Sequence, residues 1–194
     1  MQLFQTAKLL KHLDNVLDWS PVRKANLVLL ILLPIFLQYL IFHLYEVFFP
    51  SPYIDYHVLI EMTPVQAILV VVCVLMIMAS RWLDEYAWAQ RVVPVVYILF
   101  YSMSLIYLAY MTGLWTLAVG LVLAGGPLFG FILFTRRLIY LALGMSLLVL
   151  LGLSGLIALN LLPYAPLFEP ALWVDPDAKP FLFWCILFFS APHL

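Results

Sequence analysis

The stretch ANLVLLILLPIFLQYLIFHLYEVFF, residues 25–49, decides the fold class of this chain. It is apolar over almost its whole length and carries one carboxylate, near its end. A helix needs about 20 such residues to cross about 30 Å of hydrocarbon. The run also lacks the two-residue alternation that is typical of barrel strands. It therefore predicts a transmembrane helix that contains Pro34.

The composition of the whole chain agrees with this interpretation. Of the 194 residues, 66% are hydrophobic and 10% are charged, whereas a soluble domain is about half apolar and about a quarter charged. The chain must therefore use lipid as its solvent. The net charge of −1 gives no basic footprint for nucleic acid. Cys73 and Cys185 lie in apolar runs and are interpreted as small hydrophobic residues.

Two regions are predicted along the chain. Residues 1–20 form an amphipathic interfacial helix, and residues 21–194 form an all-α bundle of six transmembrane helices. Ser20 and Pro21 are expected to be the N-cap and first-turn proline of the first helix. The six apolar segments cover about 25–49, 64–80, 92–112, 114–135, 138–162 and 180–194.

The sixth segment is too short to cross a bilayer. It is either re-entrant or a truncated helix, and we favour the truncated helix, with a cytoplasmic output domain expected beyond residue 194.

The basic residues predict the orientation of the bundle. If the segments alternate, eight of the nine lie on one side and only Lys179 lies on the other; the eight are Lys8, Lys11, Arg23, Lys24, Arg81, Arg91, Arg136 and Arg137. The positive-inside rule then places both termini in the cytoplasm. We therefore predict a multi-pass protein of a bacterial inner membrane, with the loops 50–63 and 163–179 outside.

Polar residues in the outer half of the first segment are the main candidates for a ligand site. Gln38, His43 and Glu46 lie there, and the last two share a helix face. Ionisable groups at membrane depth usually face the bundle interior, so we predict a polar pocket for a small ligand. The alternative is that His43 and Glu46 lie at headgroup level and contact water.

The third segment offers a second polar face. Tyr97, Tyr101, Ser104 and Tyr107 lie within about 120° of one another on a helix. They are either a hydroxyl-lined wall of the same pocket or partners in interhelical hydrogen bonds. In the fourth segment, Gly125, Gly126 and Pro127 are expected to break the helix and could act as a hinge.

No catalytic or metal-binding motif is recognised. The histidines are dispersed and no nucleophile lies beside a base, so we expect no active site and no cofactor in this segment. A haem held by His43 and His193 is only a remote alternative. The loop RWLDEYAWAQR, residues 81–91, is expected to form a cytoplasmic interfacial turn with internal ion pairs.

The layout of the chain resembles a known class of sensor. An amphipathic lead-in precedes six helices, the loop FFPSPYIDYHVLIEM at 48–62 follows the first, and WLDEYAWAQR follows the second. This pattern resembles the membrane-associated sensor (MASE-type) domains of bacterial nucleotide and diguanylate cyclases. It is also similar to the receptor part of hydroxyketone quorum-sensing histidine kinases.

The resemblance implies a membrane sensor or anchor for a cytoplasmic output enzyme. A class III adenylate cyclase is the favoured output, with a diguanylate cyclase or histidine kinase as the runner-up. The expected partners are the lipid bilayer, a small apolar or amphiphilic ligand, and a second copy of the protein joined through the output domain. A small transporter or channel, or a passive anchor, is the alternative that stays open.

Overall fold

The computed structural model describes residues 18–113 and 130–168. These residues form four long helices: α1 (Pro21–Phe48), α2 (Tyr56–Leu83), α3 (Ala89–Thr112) and α4 (Arg136–Ala158). Each is long and apolar enough to cross a membrane. The predicted all-α fold is confirmed, and the four apolar helices suggest a membrane protein.

The number of six transmembrane helices stays a prediction. Most of the fourth segment, including Gly125, Gly126 and Pro127, lies outside the described residues, as do the sixth segment and residues 1–17 of the interfacial helix.

The start of α1 confirms its predicted cap. The Ser20 side chain accepts a hydrogen bond from the backbone nitrogen of Arg23 at 3.2 Å, and Pro21 opens the helix. This arrangement satisfies a backbone donor that would otherwise be unpaired at a helix start, while proline is tolerated because its position needs no N–H.

The start of α2 corrects the predicted loop over residues 50–63. The helix begins at Tyr56, and Pro64 lies inside it. The Asp55 carboxylate caps the first turn by accepting from the backbone nitrogens of His57 and Val58, at 2.9 and 3.2 Å. The cap makes the earlier start favourable, and membrane helices tolerate an internal proline.

The helices pack in the order α2, α1, α3, α4. α1 has its main contacts with both α2 and α3, which touch each other little, and α4 packs against α3. Leu29, Leu32 and Phe36 of α1 are fully buried in this core, and the rings of Phe36 and Phe100 meet edge to face at 6.1 Å. α1 is therefore the central helix of the described bundle.

A polar clasp joins three helix ends at one end of the bundle, which we call the clasp end. It consists of Ser20, Arg23, Asp84 and Gln90. The Asp84 carboxylate accepts from the Ser20 hydroxyl and from Arg23 Nε at 2.7 Å, while Gln90 Nε2 donates to the Asp84 carbonyl at 2.6 Å. We expected ion pairs within the loop 81–91, whereas Asp84 pairs with Arg23 of α1 instead.

A second polar network lies just inside the clasp end. The Tyr97 hydroxyl of α3 donates to the Met76 carbonyl of α2 at 2.6 Å and lies 3.2 Å from the Ser80 hydroxyl. Ser80 also lies within hydrogen-bond distance of the Asn26 side chain of α1, at 3.2 Å. Together these contacts link α1, α2 and α3 near the clasp end.

The opposite end is covered by residues 165–168, which we call the closing segment. Its Leu167 carbonyl accepts from the Asp55 backbone nitrogen at 3.1 Å, and the Leu167 nitrogen donates to the Met111 carbonyl at 3.2 Å. Ala165 and Leu167 are fully buried. The segment therefore connects the start of α2 to the end of α3 across what we call the closed end.

Candidate functional site

A row of buried polar side chains runs along α1 toward the closed end. Tyr39, His43 and Glu46 are spaced four and three residues apart, so they share one helix face. Their exposed fractions are 8%, 0% and 3%. His43 and Glu46 are therefore buried, and the face they occupy is turned toward the bundle interior.

The His43 imidazole is the most unusual group in this row. A neutral imidazole has one N–H donor and one acceptor nitrogen, yet neither ring nitrogen has a hydrogen-bond partner among the residues that the structure describes. Each buried polar atom without a partner costs about 1–3 kcal/mol. Native proteins usually satisfy such atoms with water or a ligand. His43 is therefore the strongest indication of a binding site in the described bundle.

Glu46, three residues after His43, is fixed by a hydrogen bond at the end of α1. One of its oxygens accepts from the backbone nitrogen of Ser51 at 3.0 Å. This bond ties the carboxylate to the loop that leaves α1.

Gln66 of α2 contributes a second unsatisfied group. It is fully buried, and its Nε2 donates to the Phe36 carbonyl of α1 at 2.9 Å. Its Oε1 has no partner among the described residues. Phe36 lies two helical turns before His43, about 10 Å along the axis at 1.5 Å per residue. The two unsatisfied groups therefore lie at different depths of the described bundle.

Tyr39 and Thr112 close the α3 side of the site. The Tyr39 and Thr112 side chains are near enough to interact, and the Thr112 hydroxyl donates to the Leu108 carbonyl at 2.9 Å. Met111, next to Thr112 in the chain, accepts a hydrogen bond from the Leu167 nitrogen of the closing segment. This side of the site therefore lies beside the segment that covers the closed end.

The structure does not bring all the sequence-predicted residues together. Tyr97 belongs to the polar network that includes Asn26 near the clasp end, and Asn26 lies about 25 Å from His43 along α1 at 1.5 Å per residue. Its observed role is interhelical hydrogen bonding. Tyr101 is half-buried, and Ser104 is buried. Gln38 is half-buried and already has a contact of its own.

Three residues of the site were not predicted from the sequence: Tyr39, Gln66 and Thr112. The signal for Gln66 was present, because an amide in the run PVQAILVVVCVL, residues 64–75, is a polar group at membrane depth. Tyr39 and Thr112 gave no such signal, because their pairing depends on how α1 and α3 are aligned.

The site offers hydrogen-bonding groups rather than reactive ones. His43 can donate and accept, while Glu46 and Gln66 can accept, which suits a small ligand with a hydroxyl, carbonyl or amine. Within residues 18–113 and 130–168, no group of three metal-ligating side chains is placed to hold a metal ion. His193, the remote haem candidate, lies outside those residues.

Comparisons with known proteins add no identification. The chain matches no protein family, no curated protein and no solved structure. The geometry of the bundle and the layout of the sequence are therefore what a functional proposal can use.

Proposed function

We propose that this chain is the membrane sensor region of a bacterial signalling protein, with a small amphiphilic ligand bound around His43. The observation that supports this most directly is the fully buried imidazole whose two nitrogens have no partner within the described residues. A ligand that hydrogen-bonds His43 removes that cost, so it favours whichever packing of α1 admits it.

Access to the site would involve the closing segment. Leu167 is held by two backbone hydrogen bonds, to Asp55 and Met111, and loops of this kind open at lower cost than packed helices do. A ligand that enters here would alter the contact between the start of α2 and the end of α3. That change in helix packing is the signal that the bundle would pass to the cytoplasmic side.

The proposal for the output domain is supported only by the resemblance in layout. We propose a class III adenylate cyclase, with a diguanylate cyclase or sensor histidine kinase as the alternative. The protein would act as a homodimer joined through that output domain, in the inner membrane of a bacterium, with both termini cytoplasmic. Reading the gene beyond codon 194 tests this part, and a transport domain there would contradict it.

The ligand site has its own test on the purified protein. We would measure the melting temperature with three amphiphilic probes, namely 1-decanol, 2-decanone and decanoic acid. At least one should raise it in the unchanged protein, because a ligand that binds only the folded state stabilises that state. The variant His43→Phe should lose the effect, while the matched control Leu44→Phe, on the exposed face of α1, should keep it. The same shift in His43→Phe would contradict the site.

A small proton-coupled transporter is the second candidate. It is favoured by the burial of two ionisable groups, His43 and Glu46, on one face of an apolar helix, since such groups often mark ion pathways. Flux across liposomes that contain the purified protein would separate the candidates. Solute or proton transport that is lost in Glu46→Gln would support the transporter over the sensor.

A further inference from the structure

A polar cleft opens at the clasp end, far from the site around His43. It has a volume of about 340 Å³ and is lined by Arg23, Asn26, Ser80, Arg81 and Asp84. Asn26 and Ser80, which line it, also belong to the hydrogen-bond network of the three helices. The cleft therefore lies between α1 and α2, beside that network.

The cleft contains guanidinium N–H donors that have no partner among the described residues. Arg81 is exposed and has no ion-pair or hydrogen-bond partner among the described residues. Arg23 uses its Nε for Asp84, which leaves the four N–H groups of its two terminal nitrogens available. The Asp84 carboxylate is already occupied by Ser20, Arg23 and Gln90. The unsatisfied groups that face the cleft are therefore cationic donors, which suit an anion with several oxygen atoms.

The depth of the cleft corresponds to the boundary between hydrocarbon and headgroups. The apolar run of α1 starts at Ala25, just after Arg23 and Lys24, and the apolar run of α2 stops at Arg81. The exposed indoles of Trp19 and Trp82 lie at the same helix ends, and tryptophan is enriched at membrane interfaces. A group bound in the cleft would therefore lie where the phosphates of a leaflet lie.

The charges of the described residues favour an anionic partner at this end. The described residues at this end include six basic side chains, Arg23, Lys24, Arg81, Arg91, Arg136 and Arg137, against three acidic ones, Asp18, Asp84 and Glu85. Basic pockets between helices on the cytoplasmic side of membrane proteins bind anionic lipid headgroups. The guanidinium groups also match the geometry of phosphate oxygens.

We propose that this cleft binds a negatively charged phosphate group, supplied by the headgroup of an anionic phospholipid. The lipid tails would lie along the exposed apolar face of α2, which includes Leu75 and Met78. A bound headgroup would hold Arg81 against α1 and reinforce the clasp, so anionic lipid would stabilise the packing of α1 on α2.

The experiment uses the purified protein in neutral detergent with short-chain lipids. Dioctanoyl phosphatidylglycerol should raise the melting temperature, and dioctanoyl phosphatidylcholine should raise it much less. Arg81→Gln should weaken the apparent affinity for phosphatidylglycerol about fivefold. A single basic residue at an anionic membrane surface changes the binding constant by about that much. Arg81→Lys should lose less than Arg81→Gln, because it keeps the charge.

Arg136→Gln is the matched control, because Arg136 starts α4 and does not line the cleft. Equal losses in Arg81→Gln and Arg136→Gln would overturn the proposal and indicate a general surface effect. An equal response to the two lipids would also overturn it. Inorganic phosphate at the same concentration distinguishes the source, since a shift as large as that given by the lipid would mean that the cleft takes free phosphate instead of a headgroup.

Discussion

Gln66 of α2 donates a hydrogen bond from Nε2 to the backbone carbonyl of Phe36 in α1, at 2.9 Å. The bond crosses the α1–α2 interface in the apolar part of both helices, and the other amide atom of the same side chain has no partner among the described residues. One side chain therefore both joins two helices and leaves an acceptor unsatisfied.

This relationship predicts unequal effects of two substitutions at Gln66. Gln66→Met should lower the free energy of unfolding by less than about 1 kcal/mol, because it removes an interhelical hydrogen bond and an unsatisfied acceptor together. Gln66→Glu should cost several-fold more, because it removes the donor and buries a carboxylate. Unfolding in mixed micelles measures both, and equal losses would contradict the pairing.

The Tyr97 hydroxyl predicts a loss of helix association when it is removed. Tyr97→Phe keeps the ring but deletes the bond to the Met76 carbonyl and the contact with Ser80. We expect a loss of about 0.6 kcal/mol and at most about 1.7 kcal/mol, the mean and the maximum measured for polar contacts between membrane helices. Tyr140→Phe is the control, since Tyr140 is exposed; its stability should stay within about 0.5 kcal/mol of the unchanged protein.

The clasp predicts an acid-dependent loss of stability. The hydrogen bond from Ser20 holds the pKa of Asp84 below its ordinary value; partial burial opposes this, while Gln90 and Arg23 add to the lowering. Because the folded-state pKa is the lower one, this stabilisation is fully present above the ordinary carboxyl pKa of about 3.9. It is lost as the pH falls through the lower folded-state value.

Asp84→Asn should therefore be less stable than the unchanged protein at neutral pH, and the difference should shrink as the pH falls below about 4. Thermal unfolding in detergent over a pH series measures this. Glu85→Gln, at an exposed position beside it, should leave the pH profile unchanged. A difference between Asp84→Asn and the unchanged protein that stays constant with pH would show that the clasp does not depend on ionisation.

The closing segment predicts a large difference between two leucines. Leu167 is fully buried, whereas Leu161 is 66% exposed. Leu167→Ala should lower the free energy of unfolding by about 2–5 kcal/mol, through lost burial and the cavity that remains. Leu161→Ala should change it by about 0.5 kcal/mol or less. Similar effects of the two would mean that residues 165–168 do not pack on the bundle.

Opening of the closing segment should also be measurable directly. We expect Leu167→Ala to increase the hydrogen exchange of the backbone amide of Asp55, because that amide donates to the Leu167 carbonyl. The amide of Val58, which donates to the Asp55 side chain within the same turn, is an internal control. Unchanged exchange at Asp55 would show that the segment stays closed.

The sequence predicted the helices better than the contacts between them. Apolar runs revealed α1, α3 and α4 because lipid demands continuous hydrophobicity, and Ser20 revealed the start of α1. The predicted start of α2 was wrong. Asp55, Tyr56 and Glu61 have the composition of a polar loop, although Asp55 is the N-cap of the helix. Local polarity does not distinguish a helix turn at a membrane surface from a loop.

The candidate site could be predicted only in part, for a related reason. His43 and Glu46 stand out because ionisable groups are rare within apolar helices. Tyr97 looked equally suitable, yet it pairs with Ser80 at the other end of the bundle. The depth of a residue on one helix relative to another depends on the turns between them, and spacing along a single helix carries no such information.

The central position of α1 has a consequence for how the protein is made. α1 is synthesised before α2 and α3, yet Asn26, His43 and Glu46 are covered only once those helices fold back against it. In bare lipid these side chains would lower its preference for the bilayer, so we expect α1 to be released from the insertion machinery as a hairpin with α2. A fragment covering residues 18–50 should integrate into the membrane less efficiently than one covering residues 18–88. Equal integration of the two would show that α1 inserts stably without α2.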